Sequence, residues 1–453
     1  MVPVAGGNPK IKRLHSMPLT FDQIAAVIPQ YVAKGALTQL NTNSVFAKAS
    51  IGDYEDFPGQ KGDAITLRKP RIVEIEDYDP RGANAARSED PGFITARLTL
   101  ERLFTGGFPV YGTDLAVSGV EGYVKEYANQ ISGQIGGVFD RYLYNKFRTL
   151  PTTMPITGSV AYAAAPPLAI AAAMNNTGTE SAPVDGANFT DFNKSVLIRA
   201  NTLLDQQEVP ASNRYAILSS VAKGSFLGDS VLIEGFAAAA ANSADQLTGG
   251  LPIGQFVPRY GFMCGGSNVV GTQEGNPAIA TAISAVVDDV AIFLAGDYAT
   301  QTPLGAVRLT VASASGLAAG RIARIGTANN TVAFGLILRV DGTSVFLVPY
   351  SPRLGKLVAA QIPASQNLYL PTIPSISIAY HKEALIFGTR PLGSPTPGSG
   401  AVAATESDRN TGLSLQVFKG SYDVNRLKES QRVTMLCGAT ITDYRKAAFM
   451  LSL

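Results

Sequence analysis

Tryptophan is absent from this 453-residue chain, and cysteine and histidine occur only twice each. The two cysteines, Cys264 and Cys437, lie far apart and form no CxxC pair, which excludes a disulfide framework and reads as two buried, reduced thiols. His15 and His381 are equally isolated, whereas metal sites need clustered ligands. There is no HExxH, no Walker-type Gly-rich Lys loop and no GxSxG elbow, so the common metalloprotease, nucleotide-phosphate and hydrolase signatures are missing. Charge is scarce and balanced: 16% charged residues, 37 basic against 35 acidic, net +2. That balance supplies no global basic field for sequence-reading nucleic-acid binding. Long apolar runs are lacking too. Val160 to Met174 is broken by Pro166-Pro167, and Phe236 to Ala241 is too short to span a bilayer. Met1 to Lys12 has no apolar h-region, so the chain is expected to be soluble and intracellular at synthesis. No internal repeat is visible.

What is present is most informative between Gly62 and Pro151. Asp63 to Arg68 alternates apolar with polar and resumes after Pro70 in Ile72 to Glu76. The returning limb is cleaner, with Ile94, Ala96, Leu98 and Leu100 on one face and Thr95, Arg97, Thr99 and Glu101 on the other. Asp77 to Gly92 between them is turn and loop chemistry. The pattern is a long, charged β-hairpin. An isolated hairpin is marginally stable in water, so this one implies support from elsewhere, either an ordinary globular sheet or another copy of the protein.

A helix follows from Gly119 to Leu150, roughly 48 Å long at about 1.5 Å per residue. Ser118 and Glu121 have capping-box spacing, and Pro151 stops the run. Val120, Val124, Tyr127, Ile131, Ile135, Val138 and Tyr142 are expected to form its apolar stripe. Gly122, Gly133, Gly136 and Gly137 each weaken it by about 1 kcal/mol relative to Ala, so packing must hold it, and another backbone can approach it closely.

Elsewhere, Met1 to Met17 reads as an arm. Thr20 and Gln23 open a short helix that Pro29 bends or ends. Thr152 to Asn188 has little periodicity, and a second helix is expected from Asp191 to Gln207, with Phe192, Val196, Leu203 and Leu204 buried. A strand over Arg214 to Leu218 comes next. From Cys264 to about Ser375 the pattern turns to β: Val307 to Val311, Arg321 to Ile325, Val332 to Val340 and Ser344 to Val348, with Asp341-Gly342 as a hairpin signal. This reads as a small inserted β-domain or barrel. Leu392 to Thr405 is expected to be an exposed loop, and Leu413 to Leu453 returns to strands.

Acidic groups cluster at Asp53, Glu55 and Asp56, and at Glu74, Glu76, Asp77 and Asp79, opposite a basic patch of Arg68, Lys69 and Arg71, with Arg81 and Arg87 further along the loop. Alternation puts Glu74 and Glu76 on one face, where a cation or an acid/base pair is conceivable; ion pairs with a neighbouring subunit are the simpler reading.

The order of these parts resembles the major capsid protein of tailed bacteriophages, the HK97-like fold. Asp53-Tyr54-Glu55 followed by Lys61 to Pro70 looks like the opening of the extended loop in the coat-protein family of short-tailed Salmonella-type phages. Phe334 to Thr343 and Val345 to Pro352 are similar to a strand–turn–strand in that family's inserted domain. His381 to Pro391 and Arg432 to Ala439 resemble its re-entering segment and closing strand. The motifs are structural, and their collinear order carries the resemblance. It implies an α+β fold: an N-terminal arm (1–57), an extended-loop hairpin (58–111), a peripheral domain (112–189) with Asp114 to Leu150 as spine helix, an axial domain with returning peripheral strands (190–263 and 376–453) and an inserted β-barrel-like domain (264–375).

The implied function is a structural, non-enzymatic shell protein, without cofactor or metal, that self-assembles into hexamers and pentamers of an icosahedral head enclosing double-stranded DNA. Implied partners are further copies of itself, scaffolding and portal proteins, and DNA through nonspecific contact, with no membrane. The implied location is the virion, after assembly in the host cytoplasm. Inter-subunit contact would fall to Arg68, Lys69, Arg71, Glu74, Glu76, Asp77, Asp79, Arg81 and Arg87. Two other classes remain open: an encapsulin-like nanocompartment shell, against which the inserted β-domain argues, and a carboxylate-dependent hydrolase using Glu74 or Asp53.

Overall fold

The structure, a computed structural model, describes residues 21–52, 64–70, 93–111, 120–148, 169–172, 191–227, 256–288, 307–327, 330–351, 355–363, 366–395, 401–408, 410–420, 428–442 and 446–452. The first half holds α1 (Phe21–Asn43), α2 (Val45–Lys48), β1 (Ala64–Pro70), β2 (Phe93–Thr99), β3 (Arg102–Tyr111), α3 (Val120–Arg148), β4 (Ala169–Ala172), α4 (Lys194–Gln206), β5 (Arg214–Leu218), α5 (Ser220–Leu227), β6 (Val257–Arg259) and β7 (Phe262–Gly266). Next come β8 (Asn276–Asp288), β9 (Val307–Val311), β10 (Ile322–Thr327), β11 (Asn330–Asp341), β12 (Ser344–Ser351), β13 (Gly355–Lys356) and β14 (Asn367–Leu370). The chain closes with β15 (Ser375–His381), β16 (Leu385–Arg390), β17 (Val402–Asp408), β18 (Leu413–Lys419), β19 (Lys428–Ile441) and β20 (Ala447–Ser452).

These strands form four sheets. Among the described residues β1 and β2 pair only with each other, from Ala64↔Thr99 to Pro70↔Phe93. A six-stranded sheet runs β4-β20-β15-β5-β7-β6. A five-stranded sheet runs β16-β19-β18-β17, with β3 on the other side of β19. The fourth closes on itself, because β11 pairs both β10 and β12, and β8, β9 and β14 complete a six-strand barrel to which β13 is appended.

The barrel follows from period-two alternation. Val307, Leu309 and Val311 point inward from β9, meeting Ala323, Ile325, Ile337, Leu347 and Leu368. At the Asp341-Gly342 signal, Asp341 pairs with Ser344, and Gly342 at φ +56 supplies the left-handed residue that a two-residue hairpin loop requires. The barrel strands span Asn276 to Leu370, so Cys264 and Ser375, expected at its ends, lie instead in β7 and β15 of the six-stranded sheet. Gln273 holds the neck. Its Nε2 donates to Ile322 O (2.7 Å) and Pro371 O (3.1 Å), while its Oε1 accepts from Ile322 N (2.8 Å).

Helix α4 begins where Asn193 Oδ1 accepts from Ser195 N at 3.1 Å, and it buries Val196, Leu203 and Leu204 as expected, with Phe192 just ahead of it. β5 and β9 occupy their expected ranges.

Several expectations are corrected. α1 does not stop at Pro29 but continues to Asn43, because Val32, Ala36, Leu37 and Leu40 are buried in the main core, and that packing outweighs the lost backbone bond. Residues 21–52, expected as part of an arm, are therefore largely helical, and from Val32 on they contribute buried residues to the main core. Arg102–Tyr111, expected inside the extended loop, pairs along Lys428–Cys437 in the five-stranded sheet. The last four residues of the expected Leu392 to Thr405 loop, from Val402, enter β17, paired with β18. The stripe of α3 is corrected at two positions: Val138 is 47% and Tyr127 38% exposed, whereas Ile135 is buried and Ile131 and Tyr142 pack half-buried on the core as expected, and Ala128, Ser132, Phe139, Leu143 and Phe147 join them with Asp140 and Tyr144. Two partners explain the correction. α1 closes on the Gly133–Gly136 face, where an added Cβ would stand 2.8 Å from Asn43 Nδ2 and 3.3 Å from Ser44 Oγ respectively. The five-stranded sheet covers the Ile131 and Phe139 side. Ser118, and the side chains of Val120, Glu121 and Val124, lie outside what is described.

At the hairpin root, Leu98 and Leu100 pack with Ile386 and Leu436. The chain there passes so close over β19 that a Cβ on Gly438 would stand 2.0 Å from Thr99 O. Gly438→Ala is expected to displace the root and lower stability by about 1–3 kcal/mol, the cost of overpacking a well-filled site, read as the shift in a urea denaturation curve.

Candidate functional site

The described part of the candidate site is the base of the β1–β2 arm. Arg68 and Lys69 lie on β1, opposite Thr95 and Ile94. Arg71, Glu74, Glu76, Asp77, Asp79, Arg81 and Arg87 lie outside the described residues, as do Asp53, Glu55, Asp56 and His15.

Beyond Thr99 the arm is tied into the body at Glu101. Its backbone N donates to Cys437 O at 3.2 Å. Glu101 Oε1 accepts from Tyr142 Oη (2.7 Å) and Lys146 Nζ (2.6 Å), one turn apart on α3, and Tyr142 Oη accepts in turn from Ala439 N (3.1 Å). Partial burial alone would raise the Glu101 pKa, but the bonds from Lys146 and Tyr142 and the charges of Lys146 and Arg102 outweigh it and hold the carboxyl below its ordinary value. One carboxylate thus joins the arm, the long helix and β19.

A second carboxylate, Asp140, is buried where α1 turns into α2. Its Oδ2 accepts from Val45 N at 2.7 Å and its Oδ1 from Phe46 N at 3.3 Å, so a side chain of α3 satisfies the orphan amides at the start of α2. Around it stand Phe46, Tyr144, Phe147 and Tyr380, with Phe46 stacked on Tyr380 at 6.2 Å and Phe147 5.1 Å from the same ring. Burial pushes Asp140 up to about 8, against the two amide bonds and the charge of Lys48. Lys48 is itself lowered by burial, with Asp140 opposing. Neither Glu101 nor Asp140 was singled out by spacing. Asp140 lies four residues from Gly136 and from Tyr144, so a stripe drawn through apolar residues alone omits an acid that lies in the core.

The arginines contrast. Arg214 is buried with every arm engaged: Nε on Pro210 O (2.8 Å), Nη1 on Asn201 Oδ1 (2.5 Å), and Nη2 on Val209 O and, at 2.8 Å, Asp205 Oδ1. Arg324, 1% exposed, lies over the Tyr369 ring at 4.2 Å and gives Nη1 to Thr331 Oγ1 (3.2 Å), while Nε and Nη2 have no partner among the described residues.

Catalytic chemistry finds little here. Among the described residues no group of three or more His, Cys, Asp or Glu can hold a metal ion. His381 Nδ1 accepts from Glu383 N at 3.3 Å, a capping role. Cys264 and Cys437 are buried and unpaired, and burial pushes the Cys264 thiol up to about 12 and Cys437 in the same direction. Among the described residues no helix is long and apolar enough to cross a membrane.

Neither the protein-family models nor the curated proteins contain a match to this chain. It is similar to a solved structure from Mycobacterium phage Che8, at 10% identity over 90% of each chain with a TM-score of 0.42. It is also similar to the capsid structure of the Cyanophage P-SCSP1u, at 11% identity over 90% of this chain and 88% of that one, TM-score 0.40. The capsid of Ralstonia phage GP4 is similar at 11% identity over 100% and 98%, TM-score 0.37. At that level of likeness, function rests on the chain's own geometry.

Because Asp140 keeps its proton in the folded chain up to about pH 8 while the unfolded chain releases it near pH 4, stability is expected to fall as pH rises through that window and then level off. Asp140→Asn, which keeps an acceptor and loses the ionisation, should flatten that part of the profile of urea midpoint against pH. Asp140→Ala leaves two amides unpaired and should cost about 1–3 kcal/mol at about pH 4, the deficit shrinking as pH rises and the native chain loses the contribution of the protonated carboxyl. Arg324→Met, which removes a buried charge that has no acidic partner among the described residues, should stabilise the chain by about 1–2 kcal/mol, measured the same way.

Proposed function

We propose that this chain is the major capsid protein of a tailed bacteriophage with the HK97-like fold: a non-enzymatic structural subunit that self-assembles into the hexamers and pentamers of an icosahedral head enclosing double-stranded DNA. The observation that carries this reading is the arm. β1 and β2 make a two-stranded sheet of their own, anchored to the body at Leu98, Leu100 and Glu101. A two-stranded ribbon gains independent stability only by packing against something further, and a neighbouring copy is the partner that a repeating shell supplies.

On this reading the arm is the extended loop, α3 the spine helix, and the closed barrel between β7 and β15 the inserted domain of the Salmonella-type coat proteins. Arg68, Lys69, Arg71, Glu74, Glu76, Asp77, Asp79, Arg81 and Arg87 face adjacent subunits, where exposed ion pairs contribute about 0–1 kcal/mol each and act by summation over many copies. Scaffolding and portal proteins and nonspecific DNA contact complete the partners. The protein works in the virion after assembly in the host cytoplasm.

Deleting Asp77 to Gly92 should leave a folded subunit, by circular dichroism, that fails to form closed shells under the electron microscope. Normal shells from the deletion would remove the arm from assembly.

A further inference from the structure

The arm meets the rest of the chain at a residue whose side chain reaches a different element from its backbone. We propose that Glu101 is the positioning residue of the arm: through Tyr142 and Lys146 it fixes the direction in which the hairpin leaves α3, so that arm and helix turn as one body. The biological meaning of this inference rests on the proposed role of the arm in shell contact; the geometry stands without it.

Glu101 sits between Thr99, the last residue of β2, and Arg102, the first of β3, at the point where the chain passes from free ribbon to paired sheet. Three attachments hold it. The backbone N is fixed on Cys437 O, and one carboxylate oxygen is bracketed by two donors an α-helical turn apart. The Cys437 bond ends the β3–β19 ladder and fixes the chain up to Glu101 N, and the doubly held Oε1 adds a second fixed atom off that ladder, on α3. The donors are themselves restrained. Tyr142 Oη is held by Ala439 N, its ring packs on Phe104 at 6.2 Å, and Lys146 Nζ lies 5.1 Å from that ring. Leu98 and Leu100 seat the root in an apolar pocket, which resists withdrawal of the arm but only weakly resists its rotation. Leverage makes the angle matter. Seven strand residues at about 3.4 Å each reach about 24 Å, so a turn of about 10° at the root carries the tip about 4 Å.

The test is a distance measurement between nitroxide labels on Lys69→Cys in the arm and Arg141→Cys on the exposed side of α3, by pulsed electron–electron resonance. Cys264 and Cys437 are buried and do not compete for label. Diluting labelled chain into excess unlabelled chain makes the reading independent of whether the chain assembles, so its failure and failure of the shell function are separate results. The otherwise unaltered chain should give one narrow distance. Glu101→Ala and Lys146→Glu should each broaden it or shift it by about 4 Å, and Glu101→Lys combined with Lys146→Glu should restore it. Unchanged widths in the single variants overturn the proposal. Broad distances that the double reversal fails to restore also overturn it, because the residue is then only part of the packing. Should a single variant lose its circular dichroism, Tyr142→Phe takes its place: it keeps the ring and removes one donor. Broadening there supports the proposal, and an unchanged distance overturns it.

Discussion

Helix α3 is buried from two sides at once, and the rest of the structure depends on that constraint. A helix carrying four glycines in 29 residues is poorly supported by its own propensity. It persists because α1 lies against Gly133 and Gly136 while the five-stranded sheet receives Ile131 and Phe139 on another side. The same glycines that weaken the isolated helix admit the neighbour that stabilises it. Tyr144 Oη donates to Ile376 O at 3.0 Å, so the six-stranded sheet is fastened to the helix as well.

From that helix the two carboxylates distribute its position to the other parts. Asp140 carries it to α2, where two backbone amides have no partner of their own in a four-residue helix. Glu101 receives it at the base of the arm. Both act as shared acceptors between elements remote in sequence, which is why a single fold can place a free ribbon, a helix and a sheet edge in one fixed relation. The barrel is attached by different means. Gln273, neutral and buried, satisfies its whole amide on Ile322 and Pro371, so the neck carries no charge whose burial would need offsetting.

Periodicity was informative where one face of an element meets one partner. β9, with its strict alternation, occupies its expected residues, and α4 has its expected buried side chains. The Asp-Gly turn formed because its chemistry is local. Periodicity misled where an element has two partners or a distant one. The stripe of α3 was misplaced at Tyr127 and Val138, since polar Ser132 and Asp140 lie on a buried face that hydrophobicity alone does not mark. Pro29 reads locally as a bend or an end, yet the residues beyond it are buried deeply enough to continue α1. Val402–Asp408 reads as small and polar, yet it is a strand because β18 offers it seven paired residues.

The sequence by itself determined the inventory of this protein: scarce charge, cysteine and histidine, a hairpin, a long helix after it, and a β-rich stretch with tight turns. These properties are local, set by side-chain period and turn stereochemistry within a few residues. Tertiary structure alone decided that the C-terminal strands divide between two sheets, that six strands close into a barrel, and that Glu101 and Asp140 become junctions. Those outcomes depend on donors and acceptors tens to hundreds of residues apart, and no local pattern carries that pairing.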